Sequence, residues 1–295
     1  MTRFLIIGGD SLIGSRLKAE LIRQGREVVA TSRKPEAGES SLFLDLGRPD
    51  DFQIPGGFDY AFVLAAATGV TDCQGNQAAA FINTTALPRL MRRLVAQGLT
   101  VNFASTHTVF DGQTPAPDET AEPSPANDYA RHKVEGERAL FKAAGELNGR
   151  AAVTRLTRCL GPGRAPIAGW LADWRAGKTV RPFSDLYFSL ISARYVVQSL
   201  IQLADLGLEG IFHLSGQGRM NFAGLAEALA EGLNLERSLV NPITSRQAGV
   251  NVLYAPRHPE LGLTETRRRA GLEPQPPEEA LEDLIADCRS YLATL

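Results

Sequence analysis

Short apolar runs alternating with amphipathic stretches up to about residue 155 constrain the fold more than any other feature of the chain. The runs RFLIIGG (3–9), EVVATSR (27–33), SLFLDL (41–46), YAFVLAAA (60–67), LTVNFAST (99–106) and AAVTRL (151–156) read as strands. Their near-continuous apolar character fits strands covered on both faces. Between them, SRLKAELIRQG (15–25) places Leu17, Leu21 and Ile22 on one helical face and stops at Gly25. AAAFINTTALPRLMRRLVAQG (78–98) reads as a long helix ended by Gly98, with Pro88 inside it predicting a bend. DYARHKVEGERALFKAAG (128–145) is a further helix. Strands joined by helices favour a parallel sheet with helices on both faces.

After residue 155 the regularity weakens. GPGRAPIAGW (161–170) reads as a glycine- and proline-rich loop, and GIFHLSG (210–216) as a strand. ARYVVQSLIQLADLG (193–207), NFAGLAEALAEGLN (221–234) and the end of the chain read as helices, the last behind a proline-rich linker. The expected architecture is α/β: a Rossmann-type doubly wound parallel sheet over residues 1–155 with a smaller C-terminal α/β substrate lobe over 156–295, some of whose segments return to the first domain.

The first strand runs into GGDSLIG, with Gly8, Ser11 and Gly14 at the three positions of a GxxGxxG pattern. Asp10, Ser11, Leu12 and Ile13 fill the loop between the outer glycines. Glycine there permits a tight turn and lets backbone N–H groups approach a pyrophosphate at the helix N-terminus. The position after a first strand and before a first helix makes this a dinucleotide-binding loop. Serine at the middle position leaves two readings, a hydroxyl directed at phosphate or a spoiled site. At the end of the second strand, TSRK (31–34) offers Ser32 and then Arg33 and Lys34 where NAD-selective sites carry an acid. A cation in place of the acid favours a 2′-phosphate, hence NADP(H) over NAD(H).

Composition excludes several classes. The 295-residue chain has a formal net charge of −2, which gives no nucleic-acid footprint. Its three cysteines, Cys73, Cys159 and Cys288, lie far apart, show no metal-ligand spacing and suit a reducing cytoplasm. No HxxxH pair occurs among the four histidines, so no catalytic metal is expected. No apolar run is long enough for a membrane span.

The segments STHTVFDG (105–112) and DETAEPSPANDYARHKVEGE (118–137), with the glycine loop and the YxxxK spacing of Tyr129 and Lys133, resemble the extended short-chain dehydrogenase/reductase superfamily. Within it the chain is most similar to the dTDP-4-dehydrorhamnose reductase branch, over nearly its whole length. The resemblance implies Thr106, Tyr129 and Lys133 as catalytic residues, with Tyr129 moving the proton, Lys133 also holding the nicotinamide ribose and Thr106 hydrogen-bonding the substrate oxygen. Residues four apart share a helical face, and an ammonium beside a phenol is expected to lower the phenol pKa. The resemblance further implies that Asp45 and Leu46 contact the adenine side of the cofactor, that Ala65 and Ala66 line it, and that Asn83 steadies the site. It places His107 and Arg158 with Thr106 against the substrate.

Where that branch carries Asp-Tyr after the threonine, this chain has His107 and Thr108, and Arg158 stands where a tryptophan is usual. These departures weaken rhamnose specificity more than ketone reduction. The expected substrate is therefore a keto-sugar, nucleotide-linked, with no nucleic acid or membrane partner and with a homodimer as the assembly suggested by analogy. Two alternatives share the residues: an epimerase acting through a transient ketone, and a regulatory dinucleotide-binding subunit like the beta subunit of methionine adenosyltransferase.

Overall fold

The structure is a computed structural model that describes residues 2–34 and 41–294. The strands of the first half are β1 (Phe4–Ile7), β2 (Val28–Ser32), β3 (Ser41–Phe43), β4 (Tyr60–Val63), β5 (Thr100–Thr106) and β6 (Ala151–Leu156). Its helices are α1 (Leu12–Arg23), α2 (Val70–Cys73), α3 (Gln77–Phe81), α4 (Leu87–Ala96) and α5 (Asp128–Leu147). The second half adds β7 (Arg158–Cys159), β8 (Tyr187–Phe188), β9 (Leu190–Ile191), β10 (Gly210–Leu214) and β11 (Met220–Asn221). Its helices are α6 (Ile167–Arg175), α7 (Ala193–Asp205), α8 (Phe222–Gly232), α9 (Thr264–Ala270) and α10 (Pro277–Leu292).

Seven strands form one parallel sheet in the order β10-β6-β5-β4-β1-β2-β3. The order reverses between β1 and β4, and the crevice at their C-terminal ends is where open α/β sheets bind ligands. Side chains alternate faces along a strand. Phe4 and Ile6 pack with Leu17 and Leu21 of α1 and Val196 and Leu200 of α7, while Leu5 and Ile7 pack with Leu90 and Leu94 of α4. A separate apolar core, with Ile167, Trp170, Trp174, Phe188, Leu225, Leu229, Leu284 and Cys288, lies wholly in the second half.

Two expectations are corrected and a third is refined. The segment 161–170 is not loop throughout, because α6 begins at Ile167 and buries Ile167 and Trp170. Its apolar stripe reads as loop only while the glycines and prolines before it dominate. Ile22 does not share the face of Leu17 and Leu21 but is 55% exposed. Five residues on from Leu17 at 3.6 residues per turn, its side chain swings past the buried stripe. The helix expected around Pro88 runs on past it, and its irregularity lies before the proline rather than at it. A π turn over Ile82–Ala86 joins α3 to α4, and Pro88 sits in the first turn of α4. Pro88 has no N–H to donate back, and the widened turn before it takes up the ring. Among the described residues, no helix is long and apolar enough to cross a membrane.

Candidate active site

The glycine loop closes tightly on the strand ends. Gly8 has φ +98°, and a Cβ there would lie 2.8 Å from the Ala65 nitrogen. The Gly8 N–H donates to Thr31 Oγ1 at 2.9 Å and the Gly9 N–H to the Thr31 carbonyl at 2.8 Å. A Cβ on Gly14 would fall 2.2 Å from the Gly8 carbonyl oxygen. Leu12 and Ile13 open α1 and are partly buried. Ser11 has a structural role that the sequence reading did not weigh. It is the N-cap of α1, and its Oγ accepts the Gly14 N–H at 2.9 Å. That bond satisfies one of the unpaired donors at the helix start.

At the end of β2 the Ser32 hydroxyl donates to a carboxylate oxygen of Asp10, and Ser32 Oγ accepts the Lys34 N–H at 2.9 Å. An acid therefore does stand beside the β2 end, supplied by the glycine loop rather than by β2. Arg33 is exposed, and residues 35–40 lie outside the described part of the chain. Asp45 turns the chain after β3, its carboxylate accepting the Gly47 N–H at 2.8 Å, and the neighbouring Leu46 packs on the edge of the core. Ala65 and Ala66 follow β4 and pack against the same core. Asn83, buried on the π turn, clamps the next residue from both sides. Its Oδ1 accepts the Ala67 N–H at 3.0 Å and its Nδ2 donates to the Ala67 carbonyl at 2.9 Å.

Thr106, His107, Tyr129, Lys133 and Arg158 are brought together across the end of β5, the first turns of α5 and β7. Asn127 caps α5 and sets its starting point, its Oδ1 accepting the Ala130 N–H at 3.0 Å. Lys133 is buried and donates to the Ala104 carbonyl at 2.8 Å, with Nζ 4.4 Å from the Phe103 ring centre and 6.0 Å from that of Tyr129. Burial pulls its pKa down to about 8, against the raising effect of the Glu137 carboxylate.

Tyr129 departs from the sequence expectation. Its pKa is pushed up to about 12, chiefly by burial and next by the nearby Cys73, while a hydrogen bond with Thr106 and the charge of Arg158 act the other way. The lysine is engaged by a carbonyl and does not drive the phenol toward phenolate.

His107 is buried. Its Nδ1 lies 3.2 Å from the Leu156 carbonyl and its ring stands edge-on to Tyr254 at 5.9 Å. A nitrogen facing a carbonyl carries the proton, so Nδ1–H donates and Nε2 is the acceptor. Burial lowers the His107 pKa to about 4, so the ring is neutral at physiological pH. The Arg158 side chain reaches over the Phe222 ring at 5.3 Å, tying β7 to α8.

Four neighbours were not singled out from sequence. Cys73, buried on α2, hydrogen-bonds the Ala67 carbonyl at 3.6 Å and bears on both Tyr129 and Lys133. Tyr254 comes from a distant loop, its hydroxyl donating to the Phe110 carbonyl at 3.2 Å. Glu137 and Arg155 form a buried ion pair beneath Lys133. The last two had a signal: a charged residue inside an apolar strand such as AAVTRL must be paired if the strand is central. The first two had none, because their neighbours are remote in sequence.

The chain is similar to proteins of known name. The chain is 29% identical over 255 residues, 83% of itself and 80% of the relative, to a dTDP-4-dehydrorhamnose reductase of Mycobacterium tuberculosis (strain CDC 1551 / Oshkosh). It is 30% identical over 270 residues, 82% of itself and 75% of the relative, to the methionine adenosyltransferase 2 subunit beta of Pongo abelii. The crystal structure of a dTDP-4-dehydrorhamnose reductase from Bacillus anthracis str. Ames in complex with NADP superposes with a TM-score of 0.81 at 20% identity, over 97% of this chain and 99% of that one. The profile of the family described as the RmlD substrate binding domain matches residues 2–290, and the chain belongs to that family.

Proposed function

We propose that the protein is a reductase of a keto-sugar carried on a nucleotide, using NADP(H) in preference to NAD(H). The observation that carries this reading is the protonated, half-buried phenol of Tyr129 beside Thr106 and Lys133, on a sheet whose first strand ends in a turn with no room for a Cβ at Gly8 or Gly14. Ketone reduction needs a proton donor, and a phenol with a raised pKa is fully loaded at neutral pH. The Gly8–Gly14 loop would hold the pyrophosphate, Asp45 the adenine end, and Lys133 and Asn83 the nicotinamide end. When bound, the dinucleotide supplies hydride. The chain's own residues orient the carbonyl through Thr106, deliver the proton from Tyr129 Oη, and exclude water with the segment carrying Tyr254. Arg158 and neutral His107 face the substrate, the first suited to phosphate and the second to a hydroxyl. The NADP preference rests on Arg33 at the end of β2; the Asp10 carboxylate opposes it less because Ser32 already occupies it.

The test is turnover of 4-keto nucleotide sugars followed by NADPH consumption, with Tyr129→Phe alongside. The reductase reading expects net consumption and a loss of roughly 10²-fold or more in kcat for Tyr129→Phe, with dinucleotide binding retained. An epimerase would turn over without net consumption. A regulatory subunit, as the methionine adenosyltransferase relative is named, would bind dinucleotide and be indifferent to Tyr129→Phe. Calorimetry with NADPH and NADH on wild type and Arg33→Ala decides the cofactor preference.

A further inference from the structure

Ser105, Arg155 and His213 stand side by side on three adjacent strands, since Arg155 is in register with Ser105 on β5 and with His213 on β10. All three are buried. Glu137 of α5 meets this row from above. Its Oε2 lies 2.7 Å from Arg155 Nη2, and the Ser105 hydroxyl donates to its Oε1. His213 Nδ1 lies 2.8 Å from the Gly262 carbonyl, so that nitrogen carries the proton and Nε2 accepts from Arg155 Nη1 at 3.5 Å.

A buried ion pair of this kind is weak evidence for stability. Its register is more informative. Tyr129, Lys133 and Glu137 lie at four-residue spacing on one stripe of α5. Along that stripe they engage three consecutive residues of β5: Thr106 by Tyr129, the Ala104 carbonyl by Lys133 and the Ser105 hydroxyl by Glu137. A shift of α5 along β5 would break all three contacts together.

We propose that Ser105, Glu137 and Arg155 are positioning residues that lock α5 in register against β5, and so hold the Lys133 ammonium at the Ala104 carbonyl and the Tyr129 hydroxyl beside Thr106. The consequence for turnover rests on the reductase reading; the consequence for Lys133 does not. Glu137 also favours the charged lysine against burial. The groups facing Lys133 are Glu137 and Tyr129 on its own helix, Cys73 on α2, and the Phe103 ring and Ala104 carbonyl on β5. Arg155 faces Glu137 from β6.

The experiment titrates Lys133 by NMR in protein carrying carbon-labelled lysine, assigned with Lys133→Arg, alongside kcat against pH. In Glu137→Gln the Lys133 midpoint falls by about one unit. The alkaline limb of kcat moves down with it, and activity returns as the pH is lowered. A merely structural pair would lower the melting temperature and leave both midpoints where they are, which overturns the proposal. Ser105→Ala keeps both charges and frees only the strand, so it covers the case in which Glu137→Gln fails to fold. It lowers kcat about tenfold and weakens dinucleotide binding by less than that, with substrate KM unchanged; an unchanged kcat overturns the proposal. If wild type reduces no keto-sugar nucleotide, the functional reading falls, while the Lys133 titration still judges the positioning.

Discussion

Ser11 and Gly14 illustrate how single residues in the glycine loop divide the work. Ser11 is a helix cap, so Ser11→Ala is expected to lower stability by about 1 kcal/mol, read by urea unfolding, while dinucleotide binding persists. Gly14 is different in kind. A methyl group at that position would stand 2.2 Å from the Gly8 carbonyl oxygen, a contact that backbone must move to relieve. Gly14→Ala is therefore expected to weaken dinucleotide binding by about tenfold or more through loop displacement, measured by calorimetry. The shared helical face of Tyr129 and Lys133 was legible from their four-residue spacing, and their catalytic roles were read from the family resemblance. Their pKa values were not legible. Burial raises the phenol and lowers the ammonium, and burial is a property of what packs over them.

The π turn over Ile82–Ala86 is the element whose shape matters most to the site. It delivers Asn83 to Ala67, where one amide side chain satisfies both backbone groups of a residue just after β4. Asn83→Ala leaves the partly buried N–H and carbonyl of Ala67 without those partners. The expected loss is about 2–3 kcal/mol, seen as a lower urea midpoint, with the strand-end loop losing hydrogen-exchange protection. Pro88 announced an irregularity, but a proline does not say whether a helix stops, kinks or widens. The presence of α6 was hidden by the same kind of ambiguity, since Pro166 and three glycines precede or interrupt its apolar stripe.

For the whole molecule, the feature with the widest consequences is the way the second half returns into the first. β10 joins the central sheet beside β6, and α7 covers β1 with α1. This brings His213 to Arg155 and carries the loop of Tyr254 over His107. Both histidines are held neutral, the pKa of each lowered chiefly by burial. The unfolded chain binds their protons below about pH 6.5, whereas folded His107 does so only near pH 4. Their contribution to stability is thus complete above about pH 6.5 and is lost as the pH falls toward 4, by up to about 3 kcal/mol for His107. The expected outcome is a melting temperature that declines between pH 7 and 5, with a shallower decline in His107→Gln.

Strand and helix periods, the glycine loop and the Tyr–Lys spacing are local properties, and they were enough to point to a parallel α/β sheet, a tight glycine-rich turn between β1 and α1, and a tyrosine and a lysine on one face of α5. The pairing of β10 with β6, the cap made by Ser11, the carboxylate brought to the β2 end by Asp10, and the Ser105–Glu137–Arg155 row were decided only by the tertiary structure. Each depends on which distant backbone lies 3 Å away, and on how much water that packing removes. Neither quantity is written in the spacing of residues along the chain.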